Sequence, residues 1–87
     1  MKLKYHFETV TIGDSLQLVP VGCDTFNGVI TANETMKDIM DLLTEDRTES
    51  EVVSAMLELY SDVTQGEMTL TVRQVCTDLR KEGLLDG

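Results

Sequence analysis

The sequence predicts one α+β domain in which a three-stranded antiparallel sheet is followed by three helices, in a small winged-helix-like arrangement. The chain has 87 residues, which is enough for one hydrophobic core and too short for two. Apolar residues recur with period 2 before residue 32 and with period 3.6 after it. Neither half can bury its apolar face alone, so sheet and helices should pack together over residues 1–87 as a single domain.

The first half is predicted to form an antiparallel meander, because its turns are short. Leu3, Tyr5 and Phe7 alternate with polar residues, as in a half-buried strand. The apolar phase then slips, which predicts a bulge near residue 8. A turn is expected at Gly13-Asp14 and a strand end at Pro20. The three strands are predicted at residues 3–12, 15–19 and 26–31.

The second half is predicted to form helices near residues 34–44, 49–60 and 70–82. Asn33 is a good N-cap, and Thr48 with Glu51 forms a capping-box pattern. Gly66 is interpreted as a break, and Gly83 as the residue that ends the third helix. The positions expected in the core are Tyr5, Phe7, Leu18, Ile39, Leu43, Val52, Met56, Leu59, Val72, Val75 and Leu79.

Composition disfavours several classes of function. A net charge of −9 is a poor match for nucleic acid, and no stretch approaches the ~20 apolar residues that a membrane span needs. His6 is the single histidine, and Cys23 and Cys76 form neither a CxxC motif nor a disulfide framework. These features predict a cytoplasmic protein with no metal, no cofactor and no catalytic activity of its own.

The triplet Asp14-Ser15-Leu16, preceded by Gly13, resembles two functional motifs. One is the attachment site of acyl carrier proteins, and the other belongs to a family of serine hydrolases. The first needs a serine that opens a helix, and the second needs a histidine base in a larger fold. Strand-like alternation on both sides favours a plain hairpin turn instead.

The third predicted helix is the least acidic helical surface of the chain. Its apolar stripe is Val72, Val75 and Leu79. A neighbouring stripe at helical spacing contains Arg73, Cys76, Thr77 and Arg80. From the residues alone this second stripe is either solvent-exposed surface or one wall of a groove.

Several motifs, in order along almost the whole chain, resemble the PqqD family. Asn33-Glu34-Thr35 follows an apolar strand, and Arg47-Thr48-Glu49 opens a helix that ends at Tyr60. Residues 18–22, 26–30, 39–43 and 79–85 also resemble their counterparts in that family. Two positions depart from its usual pattern: Ile39-Met40 stand where an aromatic residue is common, and Val75-Cys76 replace a Phe-Leu pair.

The resemblance implies a peptide chaperone, a recognition element for ribosomally made and later modified peptides. Such a protein binds the leader of a precursor peptide and presents it to a modifying enzyme, often a radical SAM maturase, in the synthesis of pyrroloquinoline quinone or another product. It takes up the leader as an extra strand, between its third strand and third helix. The peptide-binding residues expected here are Phe26, Asn27, Gly28, Val29, Ile30, Thr31, Arg73, Cys76, Thr77, Arg80 and Lys81.

Two alternatives stay open at this point. A winged-helix domain that binds nucleic acid or regulates transcription would use the basic residues of the third helix. The net charge of −9 disfavours this alternative. An acyl-carrier-like protein would use Ser15. The partners expected for a peptide chaperone are a leader peptide and its modifying enzyme, with no nucleic acid and no membrane. The chain is expected to be a monomer or a weak dimer, because an exposed strand can pair with a second copy.

Overall fold

The computed structural model describes residues 1–22 and 30–86, and it confirms the α+β order of a three-stranded antiparallel sheet followed by three helices. The sheet has the strand order β2-β3-β4, and a short pair of strands, β1 and β5, joins the two ends of the chain. The elements are β1 (Lys2–Leu3), β2 (His6–Ile12), β3 (Ser15–Val21), β4 (Ile30–Ala32), α1 (Glu34–Leu42), α2 (Glu49–Leu59), α3 (Gln65–Lys81) and β5 (Leu85–Asp86).

The β2–β3 hairpin closes through a two-residue turn at Gly13-Asp14, as expected. Ile12 pairs with Ser15, and Gly13 has φ +60°, the conformation that a type II′ turn requires at its first central residue. In such a hairpin the two residues that flank the turn exchange hydrogen bonds, and bonded and non-bonded pairs then alternate. Residues 15, 17, 19 and 21 of β3 therefore bond to β2, whereas residues 16, 18 and 20 direct their backbone groups toward β4.

Three details of the predicted strands are wrong. β3 continues through Pro20 to Val21, because the ring nitrogen of Pro20 points away from β2 and removes no bond of the hairpin. β2 pairs with β3 in unbroken register, so it has no bulge. The apolar phase slips because Val10 and Ile12 lie on the outer face of the sheet, where 42% and 65% of their surfaces are exposed. The predicted first strand is instead divided between β1 and β2.

Each helix begins at a side-chain cap. Asn33 Oδ1 accepts from the Met36 amide at 2.8 Å, and the predicted capping box is present, with Thr48 and Glu51 each accepting from the other's amide. Thr64 Oγ1 accepts from the Glu67 amide at 3.2 Å and starts α3 five residues before the predicted start. The expected break at Gly66 is wrong. This glycine is the second residue of α3, and the helix continues through it.

The core lies between the inner face of the sheet and the three helices. Nine of its buried side chains come from the helices, among them Ile39, Val52 and Val72, and Leu18 comes from the sheet. The predicted core position Leu59 is wrong: this last residue of α2 is 62% exposed, and Tyr60 packs against the core in its place. Tyr5, Phe7 and Val75 are partly buried against the core, whereas Cys76 is fully part of it.

A polar contact fastens the end of α2 to α1. The Tyr60 hydroxyl donates to Asp38 Oδ2 at 2.6 Å, and this hydrogen bond raises the pKa of Tyr60. This hydrogen bond links the residue that ends α2 to the middle of α1.

Candidate functional site

A groove of about 350 Å³ lies between β4 and the last turns of α3. Its apolar part is formed by Ile30 of β4, Met36 of α1 and Leu79 of α3. Thr31, Asp78, Lys81 and Glu82 complete the lining. The groove therefore has an apolar floor and polar sides, a combination suited to a segment of extended peptide whose side chains alternate in direction.

The strand beside this groove offers unpaired backbone groups. Ile30 pairs with Leu18 and Ala32 pairs with Leu16, so the backbone groups of Ile30 and Ala32 are directed to β3. Thr31, between them, directs its amide and carbonyl to the opposite edge of β4. In the described ranges 1–22 and 30–86, no strand pairs with that edge. The free edge and the apolar floor thus lie side by side.

The side chain of Thr31 lies on the outer face of the sheet rather than in the floor of the groove. Its hydroxyl donates to Gln17 Oε1 at 3.4 Å, and Gln17 is its partner across the β3–β4 pair. Ile30 and Ala32 point the other way, toward the helices, and both pack against the core. β4 therefore contributes a backbone contact through Thr31 and an apolar side chain through Ile30.

The charged residues of the groove belong to α3. Asp78 and Glu82 lie one turn apart, and Lys81 lies beside them, which gives the lining a net charge of −1. Gln74 Nε2 donates to Asp78 Oδ1 at 3.0 Å and fixes that carboxylate one turn along the helix. An extended peptide here meets two carboxylates and one ammonium group, so a basic side chain is favoured at two of the three charged positions.

The predicted stripe of Arg73, Cys76, Thr77 and Arg80 does not face this groove. Arg73 Nε donates to Glu49 Oε1 at 2.6 Å, which places Arg73 against α2. Arg80 Nη2 lies 3.1 Å from Met1 Sδ, on the flank of α3 that faces the amino-terminal segment. Thr77 is exposed on α3, outside the lining of the groove.

Cys76 is not among the residues that line this groove, and only 2% of its surface is exposed. Burial raises the pKa of its thiol, so the group stays protonated at neutral pH. Its position on the helix turns it inward, between Val72 and Leu79, so the predicted peptide contact of Cys76 is not part of this groove.

Three of the predicted peptide-binding residues, Ile30, Thr31 and Lys81, line the groove together. Phe26, Asn27, Gly28 and Val29 lie outside the described residues. Sequence reasoning missed Met36, Asp78 and Glu82. The signal for Asp78 and Glu82 was their spacing of four on the other flank of the apolar stripe.

A second groove, of about 230 Å³, lies between α2 and α3. It is lined mainly by polar groups, including Ser50, Ser54 and Thr69, and the Glu49–Arg73 ion pair closes one end. Over the part of the chain that the structure describes, no cluster of three or more His, Cys, Asp or Glu residues is arranged to hold a metal ion. None of the three described helices is both long and apolar enough to cross a membrane.

The family model for coenzyme PQQ synthesis protein D (PqqD) matches residues 8–85. The chain belongs to the PqqD family. This match runs from within β2 to the first residue of β5 and confirms the family that the motifs predict. No curated protein sequence matches the chain.

A solved structure confirms the fold of this PqqD-family chain. It is described as TbiB1 in complex with the TbiA(beta) leader peptide, and its TM-score to the present structure is 0.74. The similarity covers 100% of this chain and 96% of the TbiB1 chain, at 22% sequence identity. The two chains therefore share one architecture over their length.

Proposed function

We propose that this chain binds the leader segment of a ribosomally made precursor peptide as an added strand on β4, and presents that peptide to a modifying enzyme. The observation that carries the proposal is the edge of β4 beside the apolar groove of Ile30, Met36 and Leu79, an edge with which no strand among the described residues pairs. Membership of the PqqD family supports it, as does the fold shared with TbiB1, whose solved structure contains a leader peptide. The enzyme that we propose as partner is a radical SAM maturase.

Strand addition suits a carrier that must hold an unfolded chain. The Thr31 amide and carbonyl bond to the backbone of the peptide, which gives affinity independent of its sequence. Alternate peptide side chains enter the groove, where the apolar floor selects for apolar residues. Asp78 and Glu82 favour a basic residue close to that anchor, whereas Lys81 accepts an acidic one. Arg73 and Arg80, on the other flank, are not part of this proposed site.

We propose that the chain itself is not an enzyme. Ser15 begins β3, and His6 begins β2, at opposite ends of the hairpin. Six strand positions separate them, roughly 20 Å at the usual rise per residue. They are therefore too distant to act as nucleophile and base. The acyl-carrier alternative requires a serine at the start of a helix. Ser15 lies in a strand instead, so it does not meet that requirement.

A role in nucleic-acid binding has weaker support. Arg73 is paired with Glu49, and Asp78 and Glu82 lie on the same helix. A recognition helix needs unpaired cations toward the phosphate backbone, and the net charge of −9 repels it.

The test uses a synthetic peptide with the amino-terminal segment of a candidate precursor, chosen from the short open reading frames beside this gene. Binding is measured by fluorescence anisotropy, first for the natural peptide and then for a series of peptides that are N-methylated at one residue each. Strand addition predicts that N-methylation weakens binding at every second position of the bound segment, because only alternate amides face β4. Uniform effects, or none, would contradict strand addition without any change to the protein.

Two protein variants form a matched pair for the same measurement. Thr31→Pro removes the outward amide of β4 and should abolish most binding, while the bonds of Ile30 and Ala32 to β3 stay in place. Thr9→Pro removes an outward amide at the opposite edge of the same sheet and should leave binding unchanged. Equal losses in the two variants would point to general damage to the sheet. A loss confined to Thr9→Pro would place the peptide on the wrong edge for this proposal.

Once a peptide binds, the next step is tested with the proposed partner, a radical SAM maturase whose gene is sought beside that of this chain. Modification of the precursor, followed by mass spectrometry, should be faster with the natural chain than without it. Thr31→Pro should return the rate to that of the reaction without the chain. A rate that is equal with both chains would leave binding intact but remove the proposed presentation to the enzyme.

A further inference from the structure

β2 is an unusual edge strand. It is seven residues long, contains neither lysine nor proline, and its four consecutive residues from Thr9 to Ile12 are β-branched. Edge strands are normally protected by a lysine, a proline, a bulge or a short length, and β2 has none of these. In residues 1–22 and 30–86, β3 is its only neighbour in the sheet.

On the outer face of the sheet, β2 carries two exposed apolar side chains, Val10 and Ile12, beside the polar His6 and Glu8. Val10 and Ile12 of β2 and Val21 of β3 are 42%, 65% and 46% exposed on the face away from the helices. The charge of β2 is also low for this molecule, since Glu8 is its single acid in a chain of net charge −9. β2 is thus an edge along which two copies of this acidic chain can approach each other with little repulsion.

We propose that two copies of this chain form a dimer in which β2 pairs with β2 in antiparallel direction, centred on Thr9. The two sheets then form one sheet of six strands, with β4 at each outer edge. Both β4 edges stay open in such a dimer, so each copy keeps its candidate peptide groove. The proposal rests on β2 alone and does not depend on the function proposed above.

The register follows from the hydrogen-bond pattern of the hairpin. Residues 6, 8, 10 and 12 of β2 bond to β3, so Phe7, Thr9 and Thr11 direct their amides and carbonyls outward. When Thr9 faces Thr9 of the second copy, Phe7 faces Thr11 and Thr11 faces Phe7. All the outward groups of these three residues in each copy are then paired. This is the register in which all seven residues of both strands overlap.

Side chains agree with the same register. Glu8 lies opposite Val10 of the second copy, so the two glutamates do not face each other. Val10 becomes a diagonal neighbour of Val10 from the second copy, at a separation that aliphatic side chains can span. If the centre of the pair moved from Thr9 to Glu8, the two Glu8 carboxylates would lie directly opposite each other. Fewer residues of the two strands would then overlap. Charge and length therefore both favour Thr9 as the centre.

The first test is the mass in solution with a cross-link that reports the register. Sedimentation of the natural chain up to millimolar concentration should show a species of about 19.4 kDa, twice the 9.7 kDa of the monomer. In a chain with Cys23→Ser, whose remaining Cys76 is buried, Thr9→Cys should form a disulfide-linked dimer under mild oxidation. Opposed residues of a bonded pair lie about 5.5 Å apart between Cα atoms, within disulfide range.

Thr11→Cys in the same Cys23→Ser chain is the matched control. It lies on the same strand and the same face, but its nearest copy is four residues away, roughly 13 Å along the strand. It should form no disulfide-linked dimer under the same oxidation. Equal cross-linking of the two variants would overturn the register. A monomer mass at millimolar concentration, together with no Thr9→Cys dimer, would overturn the proposal.

A charge exchange tests the same contact without cysteine. Val10→Glu places a carboxylate opposite Glu8 of the other copy, twice in each dimer, and should weaken dimerisation on the order of tenfold. Adding Glu8→Lys to that variant should restore it, because each new glutamate then faces a lysine. Gln17→Glu adds the same charge to the same face of β3 and should leave the dimer unchanged. Equal weakening by Val10→Glu and Gln17→Glu, or no recovery in the double variant, would contradict the proposed interface.

Discussion

Leu79 is the residue at which the core and the candidate groove meet. It is 1% exposed and also lines the groove beside Ile30. Leu79→Ala should lower the free energy of unfolding by roughly 2–5 kcal/mol, the usual range for a buried leucine replaced by alanine. Leu59→Ala, at a position that is 62% exposed, is the matched control and should change it by less than about 0.5 kcal/mol. Urea titration measures both, and similar losses in the two variants would contradict the assigned core.

Cys76 provides a second prediction at the scale of single residues. Because its thiol is buried and its pKa is raised, the thiolate that reacts with Ellman's reagent is scarce in the folded chain. In a Cys23→Ser chain, no colour should develop until urea unfolds the protein. Rapid labelling under native conditions would show that Cys76 is accessible, and would return it to the list of possible ligand contacts.

The start of α2 gives a prediction at the scale of an element. Hydrogen bonds from the backbone and side chain of Thr48 lower the pKa of Glu51 in the folded chain. The capping box therefore contributes stability that is complete above the ordinary glutamate pKa of about 4.3 and is lost as pH falls through the lower, folded value. Glu51→Gln keeps an acceptor without the titration. Its melting temperature should fall less steeply than that of the natural chain below pH 4.3, and parallel profiles would contradict this role.

At the same scale, local signals account for most of the secondary structure. α1 and α2 begin at the predicted caps, because Asn33 and Thr48 each satisfy amides that the helix leaves free. α3 begins earlier than the sequence pattern predicts, because Thr64 caps it and Gly66 lies within its first turn. β1 and β5 were not predicted at all. Strands of two residues show no periodicity, and their pairing depends on how the chain ends meet.

The candidate site was predictable only in part, for a related reason. Helical spacing correctly groups Arg73, Thr77 and Arg80 on one flank of α3, but it does not indicate which neighbour that flank meets. In the folded chain this flank meets α2 and the amino-terminal segment, and the flank with Asp78 and Glu82 meets β4. The packing of the sheet against the helices decides between the two flanks, and that packing involves contacts between residues far apart in sequence.

At the scale of the whole molecule, the two edges of one sheet have different proposed partners. β4 has a groove beside it and is proposed to bind an extended peptide, whereas β2 is a long edge strand with exposed Val10 and Ile12 and is proposed to bind a second copy. Both proposals use outward backbone groups, of Thr31 at one edge and of Phe7, Thr9 and Thr11 at the other. Thr31→Pro should therefore weaken peptide binding and leave dimerisation unchanged. Thr9→Pro should weaken dimerisation and leave peptide binding unchanged.

The central claim, that the peptide becomes a strand on β4, is tested most directly by amide hydrogen exchange at Thr31. In the free chain this amide faces outward and should exchange fast, while the Ile30 amide, bonded to β3, exchanges slowly. With a saturating amount of the leader peptide, NMR should show that the Thr31 amide exchanges at least about tenfold more slowly. A tenfold change corresponds to only ~1.4 kcal/mol of stabilisation of the hydrogen-bonded state. An unchanged rate at Thr31, with protection appearing instead at the Thr9 amide or around Glu49 and Arg73, would contradict the claim.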